Sequence, residues 1–231
     1  MICFNLQLVK RLIYTLLLIQ STIYAQDISY TGNGSDDSWD TSLNWNNGNI
    51  PNSIATGAAF YNNSTHVIID SSTNATCRGF MLGMYGAANT AEISGGELSC
   101  QWLDIGRCNQ NGGSGTLTVS SGSVTVSGTL SIPQQFESNT NPAKIGQGQL
   151  FITGGSITTN SIQIGNGENG ANGGIGSVSI TGGSLVINGD KRVQIQAYID
   201  AGYITTGMQQ SFELDYNLSN PGKTTLKSTG D

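Results

Sequence analysis

The chain has 231 residues, with 9 basic and 15 acidic side chains, a formal net charge of −6 and 32 glycines. Such a surface repels nucleic acid and anionic membranes, so neither is an expected partner. The abundance of Gly, Ser, Thr and Asn would suit disorder, but the apolar residues recur at a fixed period, which a disordered segment does not need.

Residues 1–25 read as a secretory signal peptide, because Lys10 and Arg11 precede an apolar run from Leu12 to Ile19 and a small-residue end at Ala25. The run is too short for a membrane span. The mature chain is expected to start near Gln26, with seven basic against 15 acidic residues, a formal charge of −8 and no membrane span. Residues 26–63 contain "SWDTSLNWNNGNIPNSIATGAAFYNN" and two of the three Trp residues. They are predicted to form an amino-terminal cap that shields the first repeat from water and from edge-to-edge pairing.

Residues 64–196 are internally repetitive. "LFITGGSITTNSIQIGNG", from Leu150, is echoed at Val178 by "VSITGGSLVINGDKRVQIQ". The glycine anchors Gly96, Gly122, Gly155 and Gly183 are separated by 26, 33 and 28 residues, a period typical of solenoids. Three residues before each anchor stand Ile93, Val119, Ile152 and Ile180, five before stand Ala91, Leu117, Leu150 and Val178, and two after stand Leu98, Val124, Ile157 and Leu185. This period-two alternation predicts half-buried strands. A further strand follows in each unit, at Leu103–Gly106, Leu130–Pro133, Ile162–Gly165 and Val193–Gln196. A weaker unit precedes them, with Val67 and Ile69 as one strand and Phe80 and Leu82 as another. The turn glycines are expected to supply positive φ or close approach between units. Length variation falls in loops at Cys108–Ser114, Gln134–Lys144 and Gly165–Gly174. No window after residue 25 shows an apolar 3.6-residue period long enough to predict a helix.

Residues 197–231 contain the strand-like segments "AYIDAGYITTG", "SFELDYN" and "KTTLKS". Either these close the far end or the sequence is a piece of a longer chain. The predicted fold is all-β, a single-stranded parallel β-helix (β-solenoid) of about five coils of three short strands, with an amino-terminal cap and carboxy-terminal β segments.

Cys77 lies three residues before Phe80 and Cys100 three before Leu103, so both occupy one position in neighbouring units. Stacked Cα atoms about 4.8 Å apart fall within disulfide range, and in an exported protein either a Cys77–Cys100 bridge or an unbridged buried ladder is expected. Cys108 then stays unpaired and Cys3 leaves with the signal. The cysteine spacings match no zinc motif, and the lone His66 is read as structural.

Trp39, Asn44, Trp45, Gly48 and Pro51 follow a "W....NW..G..P" pattern, and the units follow the form of Gly146–Gly165, "G.G.L.I.GG.I....I.IG". With "AYIDAGYIT" and "DYN...PGKTTL", these motifs resemble the autotransporter-associated and PEP-CTERM-associated repeat proteins exported by bacteria. The resemblance spans almost the whole mature chain, and it implies a β-solenoid and a place outside the cell rather than a particular activity.

A β-helix enzyme acting on polysaccharides would need clustered carboxylates with a basic partner on adjacent units. Alternation points Asp104 outward beside Arg107, as a solvated ion pair, and its equivalents are Ser131, Gln163 and Gln194, so no acidic ladder forms. Asp190, Lys191 and Arg192 read as a solvated turn, and Asp200 as a turn residue rather than a metal ligand. Gly165–Gly170 fits the dinucleotide fingerprint, but no helix opens after it to hold a pyrophosphate. Glu168 is a single carboxylate where calcium sites use several. Thr158 and Thr159 align with Ser99-Cys100, Thr125-Val126 and Val186-Ile187, so no regular Thr ladder repeats. Asn63 and Asn74 carry glycosylation triplets.

These residues predict no catalytic, cofactor or metal site. The expected function is a non-catalytic scaffold, spacer or adhesin-like module, secreted or on the outer cell surface. Its expected partners are surface glycans or other extracellular proteins, and Trp39, Trp45, Trp102 and Tyr85 are the candidate sugar-stacking aromatics. The alternative is a carbohydrate-active β-helix enzyme or its accessory glycan-binding module.

Overall fold

The computed structural model describes residues 26–62, 64–107, 112–133, 145–165 and 174–230. The expectations for the signal peptide, Cys3, Asn63, Cys108, Glu168 and the loop stretches 108–111, 134–144 and 166–173 lie outside these residues.

Among the described residues the chain is mostly β, as predicted, with fourteen strands in one large mixed sheet that is not closed. Strands β1 (Gln26–Ser29), β2 (Asn52–Ser53) and β3 (Thr56–Ala59) form the amino-terminal part. Repeated units follow in β4 (Thr65–Asp70), β5 (Asn74–Leu82), β6 (Ala88–Ile105), β7 (Gly113–Ile132), β8 (Gly146–Ile152), β9 (Ser156–Ile164), β10 (Ile175–Ile180) and β11 (Ser184–Asn188). Every pairing among β1 to β11 is parallel.

The register follows the sequence repeat and stacks like side chains on like. One ladder runs Val67, Ala91, Leu117, Leu150, Val178, and a second runs Ile69, Ile93, Val119, Ile152, Ile180. Around a corner, Ala75, Leu98, Val124, Ile157 and Leu185 align, as do Cys77, Cys100, Val126, Thr159 and Ile187. A third set of strands aligns Ile28, Ala58, Phe80, Leu103, Leu130 and Ile162. All of these side chains are buried, because alternation turns every second residue inward and parallel pairing places those of successive units in contact. The expected three short strands per unit are partly fused: β6 and β7, of 18 and 20 residues, carry their pairing through the corners.

The glycine anchors make that fusion possible. Gly122, Gly155 and Gly183 have φ of +79°, +63° and +66°, and a Cβ on each would run into the carbonyl oxygen of the anchor one unit earlier, Gly96, Gly122 and Gly155 respectively. Both a left-handed backbone and a missing side chain are therefore required here.

Aromatic rings fill the amino-terminal end of the interior. Trp39 and Trp45 cross edge to face with centroids 4.7 Å apart, Tyr30 meets Trp45 at 5.0 Å, and Phe60 meets Phe80 at 5.0 Å. The Trp45 indole donates to the Trp39 carbonyl at 2.7 Å. Buried Asn44 ties the preceding loop together by donating to the carbonyls of Asp36 and Ser38 and accepting from Gly34 N.

The carboxy-terminal end departs from the expectation. Val193–Gln196 is not a strand but lies in an α-helix, α1 (Arg192–Asp200), which also crosses the expected boundary at 196/197 and contains Asp200. The alternation of Val193 and Ile195 misled, since Val193 is 87% exposed, whereas Ile195, Tyr198 and Ile199 recur at helical spacing and pack on the core. The helix covers the edge of β9: Gln194 donates to the Ile162 carbonyl at 3.0 Å, and Ile164 N donates to the Tyr198 hydroxyl at 3.5 Å. Elsewhere β12 (Ile204–Thr205) continues the first ladder in parallel, setting Ile204 on Val178. Strand β14 (Lys223–Thr229) pairs antiparallel with β11, placing Leu226 on Leu185, and β13 (Ser211–Tyr216) pairs antiparallel with β14.

Candidate functional site

Outward positions on the first two sets of strands are mostly small and polar, for example Thr90, Thr116, Gln149 and Ser177 in one row. The third set differs. Its row Ala59, Met81, Asp104, Ser131 should face solvent by alternation, yet all four are buried. Ala59, Met81 and Met84 form a second apolar cluster outside the main interior, with Tyr61 packed against it.

The turn after β5 supplies the cover. Gly83 and Gly86 have φ of +78° and +89°, and between them Tyr85 holds φ of +54°, a left-handed conformation uncommon for a bulky residue. The Tyr85 ring stacks on Tyr61 at 5.5 Å between centroids and 29° between planes, and Tyr85 remains 55% exposed. Burial, then Asp27 and Tyr85, push the Tyr61 hydroxyl up, and Arg107 opposes them, so these groups share one neighbourhood.

Asp104 corrects the sequence reading. It is a buried partner of Arg107, not a solvated one: the contact is 2.5 Å, and the side chains are 1% and 18% exposed. Alternation orients Asp104 as expected but says nothing of the cluster built over that face. Burial pushes the Asp104 carboxyl up to about 6, against the opposing pull of the Arg107 guanidinium. The folded state thus holds a proton between about pH 4 and 6 that the unfolded chain has released, and stability from this group declines as pH rises through that window. We predict that Asp104→Asn flattens the decline, by up to roughly 3 kcal/mol between pH 4 and 7 in urea unfolding. Parallel pH profiles for the two proteins would contradict it.

Asp27 and Arg78 form a second ion pair on this face at 3.1 Å, with the Arg78 guanidinium 5.2 Å from the centre of the Trp102 ring. Gly79 lets that indole lie against the backbone, since a Cβ there would overlap Trp102 Nε1. Beside Asp27 opens a cleft of about 460 Å³ lined by Asn46, Asn47, Asn49, Asn52 and Thr56.

The four aromatics singled out by sequence therefore separate. Trp39 and Trp45 are 1% and 2% exposed and belong to the interior. Trp102 is half-buried under Arg78, and Tyr85 alone among them offers an open ring face. Sequence reading missed Tyr61. The signal was present, since Phe60 points inward and its neighbour must point out.

Cys77 and Cys100 are register partners, buried and unbridged. The hydrogen bond with Cys77, then burial, push the Cys100 thiol up. His66 Nδ1 lies 2.6 Å from Thr90 Oγ1. Asp190 and Arg192 pair in an exposed bidentate contact. Asp200, at the end of α1, accepts from Gln196 at 2.8 Å rather than fixing a turn. Among the described residues no three His, Cys, Asp or Glu are grouped to hold a metal ion, and no helix is long and apolar enough to cross a membrane.

Comparison with protein-family models, with curated proteins and with solved structures gives no match.

Proposed function

We propose that this chain is a β-solenoid, a parallel β-helix wound from the repeated units, serving outside the cell as a scaffold, spacer or adhesive module of the exported repeat-protein type. The observation that carries this reading is the set of continuous parallel ladders, in which each unit buries the same positions against the next. Stacked units make a stiff body whose stability lies in neighbour contacts, leaving outward positions free to vary. The signal-peptide pattern of residues 1–25 supports export.

A second reading, a carbohydrate-active enzyme, is favoured by one feature, the raised pKa of Asp104 beside an aromatic patch. Its carboxylate is enclosed and held by Arg107, and Asp27 is held by Arg78, so the face presents no accessible carboxylate pair of the kind glycoside hydrolysis uses. A glycan array with a reducing-sugar assay on the mature chain tests both. The module reading predicts no release of reducing ends. Turnover lost in Asp104→Asn would overturn it in favour of the enzyme.

A further inference from the structure

We infer that Tyr85, backed by Tyr61, is a stacking platform for a neutral saccharide on the outward face of the third set of strands. The inference rests on the module reading and gives its adhesive surface a place and a ligand class.

Three observations lead there. The two rings are stacked and Tyr61 is anchored on the Ala59, Met81 and Met84 cluster, so the platform is rigid before anything binds. Tyr85 exposes more than half its surface although it sits in a well-packed turn. Its left-handed backbone is one that a glycine would adopt freely, as Gly83 and Gly86 do on either side, yet the position holds a tyrosine, the one aromatic among the described non-glycine residues of positive φ. For a bulky ring such a backbone is a pointer to function, since sparsely populated conformations cluster at ligand-contacting sites.

Charge selects the ligand. The carboxylates of this face are matched by its arginines, Asp27 with Arg78 and Asp104 with Arg107, so the patch offers polar partners without net charge. An anionic polymer would also meet the acidic balance of the whole chain. A neutral sugar ring suits both features: its apolar C–H face covers the tyrosine, and its hydroxyls bring no charge to a patch whose own charges are already paired. Trp39 and Trp45 compete for no ligand, being enclosed, and Arg78 occupies the Trp102 ring.

The test uses the mature chain, with cellohexaose, xylohexaose, mannohexaose and chitohexaose as neutral probes and polygalacturonate as the anionic one, followed by calorimetric titration. At least one neutral hexamer is expected to bind with Kd on the order of 0.1–1 mM, and polygalacturonate more weakly. Tyr85→Phe keeps binding within about threefold, and Tyr85→Gly weakens it at least tenfold while melting stays cooperative, the relieved backbone offsetting part of the lost stacking on Tyr61. Binding that survives in Tyr85→Gly overturns the inference. So does preference for polygalacturonate, or silence toward all four neutral hexamers by a protein whose melting is cooperative. None of these results would touch the module reading, which fails instead on turnover in the reducing-sugar assay.

Discussion

Ile152→Asp is expected to abolish cooperative folding. Ile152 is fully buried between Val119 and Ile180, fourth in a ladder of five residues. A carboxyl there would have apolar neighbours on both sides and no cation to meet it, so it must stay protonated and without a polar partner, and that desolvation added to the lost isoleucine packing is comparable to the roughly 5–15 kcal/mol by which domains are stable. A graded series separates this effect from general intolerance. Ile152→Val is expected to cost about 0.5–1.5 kcal/mol and Ile152→Ala about 2–5 kcal/mol, because the cavity is walled by backbone ladders that cannot collapse into it. Gln149→Asp, three residues away but on the exposed face, is expected to stay within about 0.5 kcal/mol. Urea unfolding checks the series. A native-like Ile152→Asp, or a Gln149→Asp as damaging as Ile152→Ala, would show that the inward and outward faces are misassigned.

The second large effect belongs to a glycine. Gly122→Ala introduces a methyl group at φ of +79° and drives it into the carbonyl oxygen of Gly96 in the preceding unit. Gly189 has nearly the same φ, +75°, but open space where its Cβ would be. Gly189→Ala therefore isolates the conformational penalty, about 1–2 kcal/mol. Gly122→Ala adds a collision between backbones spaced by hydrogen bonds, and its total is expected to exceed that of Gly189→Ala by at least about 2 kcal/mol. Equal losses at the two sites would mean that units do not approach closely at the anchors.

Much of this interior was legible because repetition averages out the ambiguity of any one short apolar run. Ile93, Val119, Ile152 and Ile180 each have weak meaning alone, whereas four aliphatics at one distance from four glycines leave little freedom in the register. Where the repeat stops, legibility stops. In Arg192–Asp200 the dyad of Val193 and Ile195 imitated the strand of earlier units, while Ile195, Tyr198 and Ile199 carried the helical spacing that the packed end selected. The candidate site was legible only in part. Tyr85 is one of the four candidate sugar-stacking aromatics, but its pairing with Tyr61 joins segments brought together by the parallel pairing of β3 with β5. Asp104 shows the same limit from the other side: alternation gives a direction for a side chain, not whether other residues cover it.

Methyl-labelled Ile, Leu and Val residues in the mature chain offer the most direct test of the stacked interior. Nuclear Overhauser contacts are expected to step along the ladder from Ile93 to Val119, Val119 to Ile152 and Ile152 to Ile180, with none between Ile93 and Ile180, which three steps of about 4.8 Å hold apart. A direct Ile93–Ile180 contact, or the loss of the Val119–Ile152 contact, would contradict the parallel order of the units.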